Sequence, residues 1–132
     1  MHWADAIALK LMQRDTEQVI ATGTSISGRM HLGNAGDLIF GNGIQKALEI
    51  KNPASWRLIW FSDDMDPFRR VPAGLDPSFE RYLGMPVSSI PCPDGCCSSF
   101  VEHYSNIFLK SLAEIGIEPE IHSTTDMYRE GL

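Results

Sequence analysis

Two short segments carry residues suited to chemistry on a phosphate ester. The first is Thr22-Gly23-Thr24-Ser25-Ile26-Ser27-Gly28-Arg29-Met30-His31-Leu32-Gly33-Asn34. A nucleoside triphosphate needs hydrogen-bond donors and room for close backbone approach, and Gly23, Gly28 and Gly33 give the room. A helix opening near Gly33 would present free N–H groups and the positive end of its dipole. His31 and the Asn34 amide add side-chain donors. The tetrapeptide alone is a weak signal, because four-residue patterns arise by chance and its bland alternative is a helix start with a surface histidine. Its setting, a short loop after an apolar run, makes it specific. The second segment is Asp63-Asp64-Met65-Asp66-Pro67. Three carboxylates this close repel one another unless a cation or donors share the site. That fits an ammonium pocket or a Mg²⁺ site, and equally a solvated loop in which Asp66 starts a turn before proline.

The elements that must hold these segments follow from the hydrophobic pattern. Residues 3–14 read as a short amphipathic helix with Trp3, Ile7 and Leu11 on one side. Residues 19–22 read as a buried strand ending at Gly23, and residues 33–50 as a helix. Its glycines, Gly36, Gly41 and Gly43, each weaken it by ~1 kcal/mol against alanine, so close packing or ligand approach must justify them. Residues 56–62 are nearly continuously apolar, as a strand covered on both faces should be. Residues 67–97 hold most of the prolines and form a long connection, with one helical turn near Phe79 to Leu83. Ser98 or Ser99 caps a helix to Ile115 whose apolar face is Phe100, Tyr104, Ile107, Phe108, Leu112 and Ile115. Gly116 follows it. Residues 118–122 form a third strand, and Thr124 or Thr125 caps a last short helix.

This alternation predicts an α/β fold, a Rossmann-like parallel sheet with flanking helices. Ligands of such sheets bind beyond the carboxyl ends of the strands, where both segments fall. The 132 residues suit one domain, and 43% hydrophobic with 21% charged residues excludes a disordered chain. The net charge of −6 means that any nucleic-acid grip must lie mostly elsewhere. No apolar run reaches the ~18 residues of a membrane span, and residues 1–5 lack a signal-peptide pattern. Three cysteines, two of them adjacent, make no disulfide framework and suit a reducing cytoplasm. Cys92, Cys96, Cys97 and His103 hold zinc ligand types, but Cys-x3-Cys-Cys is a poor zinc spacing. Free thiols and no metal are expected. His2 and His122 read as surface residues.

Taken together, the blocks resemble class I lysyl-tRNA synthetases of the archaeal type. The resemblance rests on Thr22-Gly23, Ser27-Gly28, His31 and Gly33-Asn34, which match the "HIGH" block. It rests also on Asp63-Asp64-Met65-Asp66-Pro67 with Arg70-Val71-Pro72, on Tyr82-Leu83-Gly84-Met85-Pro86, and on Ile90-Pro91-Cys92-Pro93-Asp94-Gly95-Cys96. Two positions depart from the pattern: Ile26 stands where proline is usual, and Cys97 where histidine is frequent. The resemblance implies that residues 1–132 are the first part of an incomplete HUP-type nucleotide-binding catalytic domain, with 67–97 as a connecting insertion. It implies ATP and lysine as substrates with Mg²⁺, tRNA(Lys) as partner of the full enzyme, and a cytoplasmic location. A KMSKS-type loop and an anticodon-binding domain are missing, so the fragment alone should be inactive. His31 and Asn34 would be catalytic. Ser27, Gly28, His31, Gly33 and Asn34 would bind ATP, and Gly23, Ser25, Asp63, Asp64 and Asp66 would bind lysine. Arg69 and Arg70 would reach phosphates or sit on the surface. Two rival readings remain. One is a small-substrate nucleotidyltransferase of the same superfold, for which Ser123-Thr124-Thr125 is a poor late phosphate motif. The other is a non-catalytic nucleotide-binding paralogue.

Overall fold

A computed structural model describes residues 1–14, 18–53 and 56–131. Three parallel strands, β1 (Val19–Ser25), β2 (Arg57–Asp63) and β3 (Glu120–Ser123), lie in the order β1-β2-β3. The helices are α1 (Trp3–Leu11), α2 (Leu32–Lys51), α3 (Phe100–Ala113) and α4 (Thr124–Arg129). Short 3-10 turns at Pro77–Tyr82 and Val87–Ser89 punctuate the long connection between β2 and α3. Among the described residues no helix is long and apolar enough to cross a membrane. The expected α/β architecture and its element order therefore hold.

The main core lies where α2 and α3 meet the sheet. It joins Leu38 of α2, Leu58 and Trp60 of β2, and Phe100, Phe108 and Leu112 of α3. Ile26, standing where the resemblance led to expect proline, is fully buried in this core and anchors the turn after β1. The connection is no loose loop. Phe68, Phe79, Val87 and Ile90 all insert into the same core, and Phe68 exchanges backbone hydrogen bonds with Gly84 and Met85.

Three expectations change. Helix α1 ends at Leu11 and buries Ala4 and Ala8, not Trp3 and Ile7, because small residues let it approach Ala47 and Leu48 of α2. Strand β1 runs on through Gly23 to Ser25, and its burial alternates. It is an edge strand of this sheet, with Val19, Ala21 and Gly23 exposed, so alternate residues of β1 stay uncovered. On α3, Val101 and Ser105 are buried, whereas Ile107 and Ile115 are 40% and 60% exposed. The expected stripe holds at Phe100, Tyr104, Phe108 and Leu112, and the buried face extends from it to Val101 and Ser105 instead of to Ile107 and Ile115.

The glycines of α2 separate by role. A Cβ on Gly41 would stand 2.9 Å from Leu58 and 3.2 Å from Ile20 and Thr22, so this glycine lets the helix lie close on the sheet. Gly36 has open space around it.

Candidate nucleotide site at the carboxyl ends of the strands

The His-x-Gly-Asn spacing has a local physical reason. His31 is the N-cap of α2, Gly33 the second residue and Asn34 the third. The Gly33 N–H donates to His31 Nδ1 (3.1 Å), and the His31 N–H donates to Asn34 Oδ1 (3.0 Å). This is a reciprocal capping box with histidine in place of serine. A Cβ on Gly33 would meet the His31 ring at 2.9 Å, so glycine there lets the imidazole fold back over the helix end. The N–H groups of Asn34 and Ala35 also bond to the His31 carbonyl. The N–H groups of Gly33, Asn34 and Ala35 are thus taken up within the cap.

What remains free is the outer edge of the two side chains. With Nδ1 accepting, the neutral imidazole carries its proton on Nε2, and Asn34 keeps its amide NH₂. Both residues line a cavity of about 320 Å³ with Ser25, Ser27, Gly28, Arg29, Arg70 and Pro72. Among the described residues its lining holds two arginines and no carboxylate, against a net charge of −6 for the chain. Gly28 adopts φ +145°, and a Cβ there would stand 2.8 Å from Pro72, so the turn and the connection touch through this glycine.

Strand register sets the neighbouring corner. Gly23 lies beside Phe61, and Ser25 beside Asp63. Alternation puts these four residues on one face of the sheet, where Gly23 is exposed and Ser25, Phe61 and Asp63 are half-buried. Burial and the charge of Asp66 raise the pKa of Asp63, with Asp64 adding to this against a Thr124 hydrogen bond. Such a carboxylate gains from a bound cation.

Asp64 behaves differently from its neighbours. It is only 5% exposed. Its carboxylate accepts from the hydroxyls of Ser123 (2.6 Å), Thr124 (2.9 Å) and Thr125 (2.8 Å), and from the Thr125 N–H (2.8 Å). Burial opposes its charge, yet these bonds outweigh burial and hold its carboxyl below the usual range. Asp64 ties the end of β2 to the start of α4. Nothing in the sequence near Asp63 or Asp66 marks it as the structural member, since its partners lie about sixty positions away. Thr124 and Thr125, expected as helix caps, serve Asp64 instead, and Ser123 caps α4.

A second cluster of ligand-type atoms stands at the far end of the connection. Sγ of Cys92, Cys96 and Cys97 and a His103 ring nitrogen lie within 4.8 Å of one another. The sulfur separations are 3.7, 3.7 and 3.3 Å. A tetrahedral zinc ion with Zn–S near 2.3 Å would set sulfurs about 3.8 Å apart. The donor set and its dimensions therefore fit a closed Cys₃His zinc site, despite a spacing that had favoured free thiols. Asp94 stands 3.6 Å from His103 Nε2, where a second carboxylate orients a ligating imidazole. Desolvation opposes the Cys92 thiolate, but hydrogen bonds from Cys97, Cys96 and the Asp94 and Cys97 backbone bring its pKa down to about 6. Such a cluster would pin the connection to α3.

Sequence comparisons give the chain its class. The family described as tRNA synthetases class I (K) matches residues 1–132, and the chain belongs to that family. Among its relatives, the lysine–tRNA ligase of Methanosphaera stadtmanae is 43% identical over 99% of the chain. The lysine–tRNA ligases of Archaeoglobus fulgidus and Methanococcus maripaludis are 42% and 40% identical over the whole chain. The chain spans about a quarter of the length of these relatives, 25% to 27%.

Proposed function

We propose that this chain forms the first part of the catalytic domain of a lysine–tRNA ligase, binding ATP beside the carboxyl end of β1. The observation that carries this is the cavity lined by His31, Asn34, Arg29 and Arg70, with no carboxylate among its described lining residues, next to the Ser25–Asp63 pair. In this reading a lysine carboxylate oxygen attacks the α-phosphorus of ATP. The bond to the β-phosphate oxygen breaks, and lysyl-adenylate and pyrophosphate form. The terminal ribose hydroxyl of tRNA(Lys) then attacks the lysyl carbonyl, AMP leaves, and the hydroxyl proton passes to solvent.

No enzyme nucleophile is needed, so the residues act by position and charge. His31 Nε2 and the Asn34 amide donate to phosphate oxygens, and Ser27 and Gly28 line the same cavity; the room expected at Gly28 and Gly33 is taken by Pro72 and by the His31 ring. Mg²⁺ accompanies the triphosphate. For lysine, the neighbours Gly23 and Ser25 form the floor, and Asp63 with Asp66 supplies the negative charge that an ammonium group requires. Asp64 drops out of the first contact set, because its oxygens are already bonded.

The test is ATP–pyrophosphate exchange by the full-length polypeptide that carries this chain. Exchange dependent on lysine is expected. Exchange with another amino acid would sink the lysine assignment, and no exchange with any would sink the synthetase reading.

A further inference from the structure

We propose that Arg70, carried on the connection and not on the strand-end motif, is a polyphosphate-binding residue of the cavity around His31. The inference deepens the nucleotide reading and rests on it. It starts from a contrast between neighbours. Arg69 and Arg70 are adjacent and both exposed, yet only Arg70 lines the cavity with His31, Asn34 and Ser27.

The backbone fixes that difference. On one side Phe68 is 1% exposed in the main core and bonded through its backbone to Gly84 and Met85. On the other side Val71 packs on the same core, and Pro72 rests on Gly28. Two residues held between such anchors point to different sides, and Arg70 takes the side of the cavity. Among the described residues neither Arg70 nor Arg29 has an ion-pair partner. In a chain of net charge −6, two arginines without carboxylate partners around one histidine make a local positive site. A guanidinium offers paired donors to phosphate oxygens. His31 occupies the N–H groups of Gly33, Asn34 and Ala35, and Arg70 and Arg29 supply positive charge beside them.

The experiment measures binding of ATP, inorganic tripolyphosphate and adenosine to the full-length polypeptide by calorimetry, with circular dichroism confirming the fold of each variant. Arg70→Ala is expected to weaken ATP and tripolyphosphate at least tenfold and leave adenosine unchanged, with Arg70→Lys between it and the parent. Arg69→Ala is expected to stay within twofold, although it removes the same charge. An equal loss in both alanine variants would mean a diffuse field, and overturns the assignment. So does an Arg70→Ala protein within twofold of the parent. Failure of the parent to bind tripolyphosphate or ATP would remove this inference and the nucleotide site together. Arg70-dependent ATP binding without lysine-dependent exchange would leave this inference standing and end the ligase reading.

Discussion

The ends of β1 and β2 lie side by side, yet they handle their polar groups in opposite ways. Beyond β1, His31 and Asn34 each use one polar atom to cap α2, keep another outside the cap, and line a cavity. Beyond β2, Asp64 is enclosed and accepts four hydrogen bonds. Asp63 beside it keeps a raised pKa because burial and Asp66 disfavour its charge. Free valence next to a cavity is what a binding residue needs, whereas a saturated, buried carboxylate is a structural joint. The two motifs look equally catalytic as text. Only the pattern of occupied and free hydrogen-bonding positions separates them.

The strongest way to break this contrast is at the joint. Asp64→Ala would leave three hydroxyls and one N–H without their acceptor. The expected cost is ~2–4 kcal/mol, at the upper end for single substitutions. Asp63→Asn should stay within ~0.5 kcal/mol, as for an ordinary surface change. Urea unfolding midpoints decide between them, and equal effects would erase the distinction. The pH dependence has a definite sign. Asp64 has a lowered folded pKa, so its stabilisation is complete above its unfolded pKa of ~3.9 and is lost as pH falls through the folded value. Asp63 is raised and works the other way: the folded state favours its protonated form, and that contribution is lost as pH rises through the folded pKa. Asp64→Asn should therefore flatten the acid limb of the stability curve below about pH 4, whereas Asp63→Asn should not.

The connection joins both strand ends, since Ser88 and Val87 bond to the carbonyls of Asp64 and Asp66 while Pro72 meets Gly28. Its cysteine cluster gives a handle on it. The protein is expected to take up one zinc ion per chain, read by elemental analysis after desalting. Free zinc at a hundredfold over its dissociation constant would then stabilise by about 2.7 kcal/mol. Cys96→Ser should lose both the ion and the shift in melting temperature. Stoichiometric zinc in that variant would show that Cys96 is no ligand, and none in the parent that the cysteines act as free thiols.

How much of this was legible in the sequence depends on the range of the interactions. Elements defined by local pattern and caps came out close to their places: α2 begins one residue from the expected start, Ser99 caps α3, and Gly116 follows it at φ +76°. Faces were harder. The spacing puts the stripe of α1 on Trp3, Ile7 and Leu11, but the buried residues are Ala4 and Ala8, with Leu11 packed beside them, because the partner surface is Ala47 and Leu48. The helix spacing says nothing of how closely a partner can approach. The role of Asp64, the convergence of three cysteines with His103 and the arrival of Arg70 beside His31 all depend on pairs distant in sequence or on the path of an irregular connection. Periodicity carries no information on either. Gly41 and Gly36 test the point. Both are interior helix glycines, identical by propensity. Gly41→Ala should cost ~1–2 kcal/mol, because overpacking against Leu58 exceeds the gain in helix propensity. Gly36→Ala, in open space, should stabilise by ~0.5–1 kcal/mol. Equal signs would mean that α2 stands off the sheet more than its contacts imply.

The finest test separates the two jobs of His31. Asparagine is among the best N-cap residues, so His31→Asn should keep the cap, whereas His31→Ala should lose about 1 kcal/mol of stability. Neither variant keeps the Nε2–H that faces the cavity. If capping were the residue's whole role, ATP affinity in the full-length polypeptide would follow stability, and the asparagine variant would bind like the parent. The geometry requires the opposite. Both variants should bind ATP about tenfold more weakly, a loss of one charge-assisted hydrogen bond worth ~1.4 kcal/mol, while only the alanine variant unfolds earlier. A histidine that caps with one nitrogen and faces a ligand with the other should show these losses separately, because the two nitrogens meet different partners.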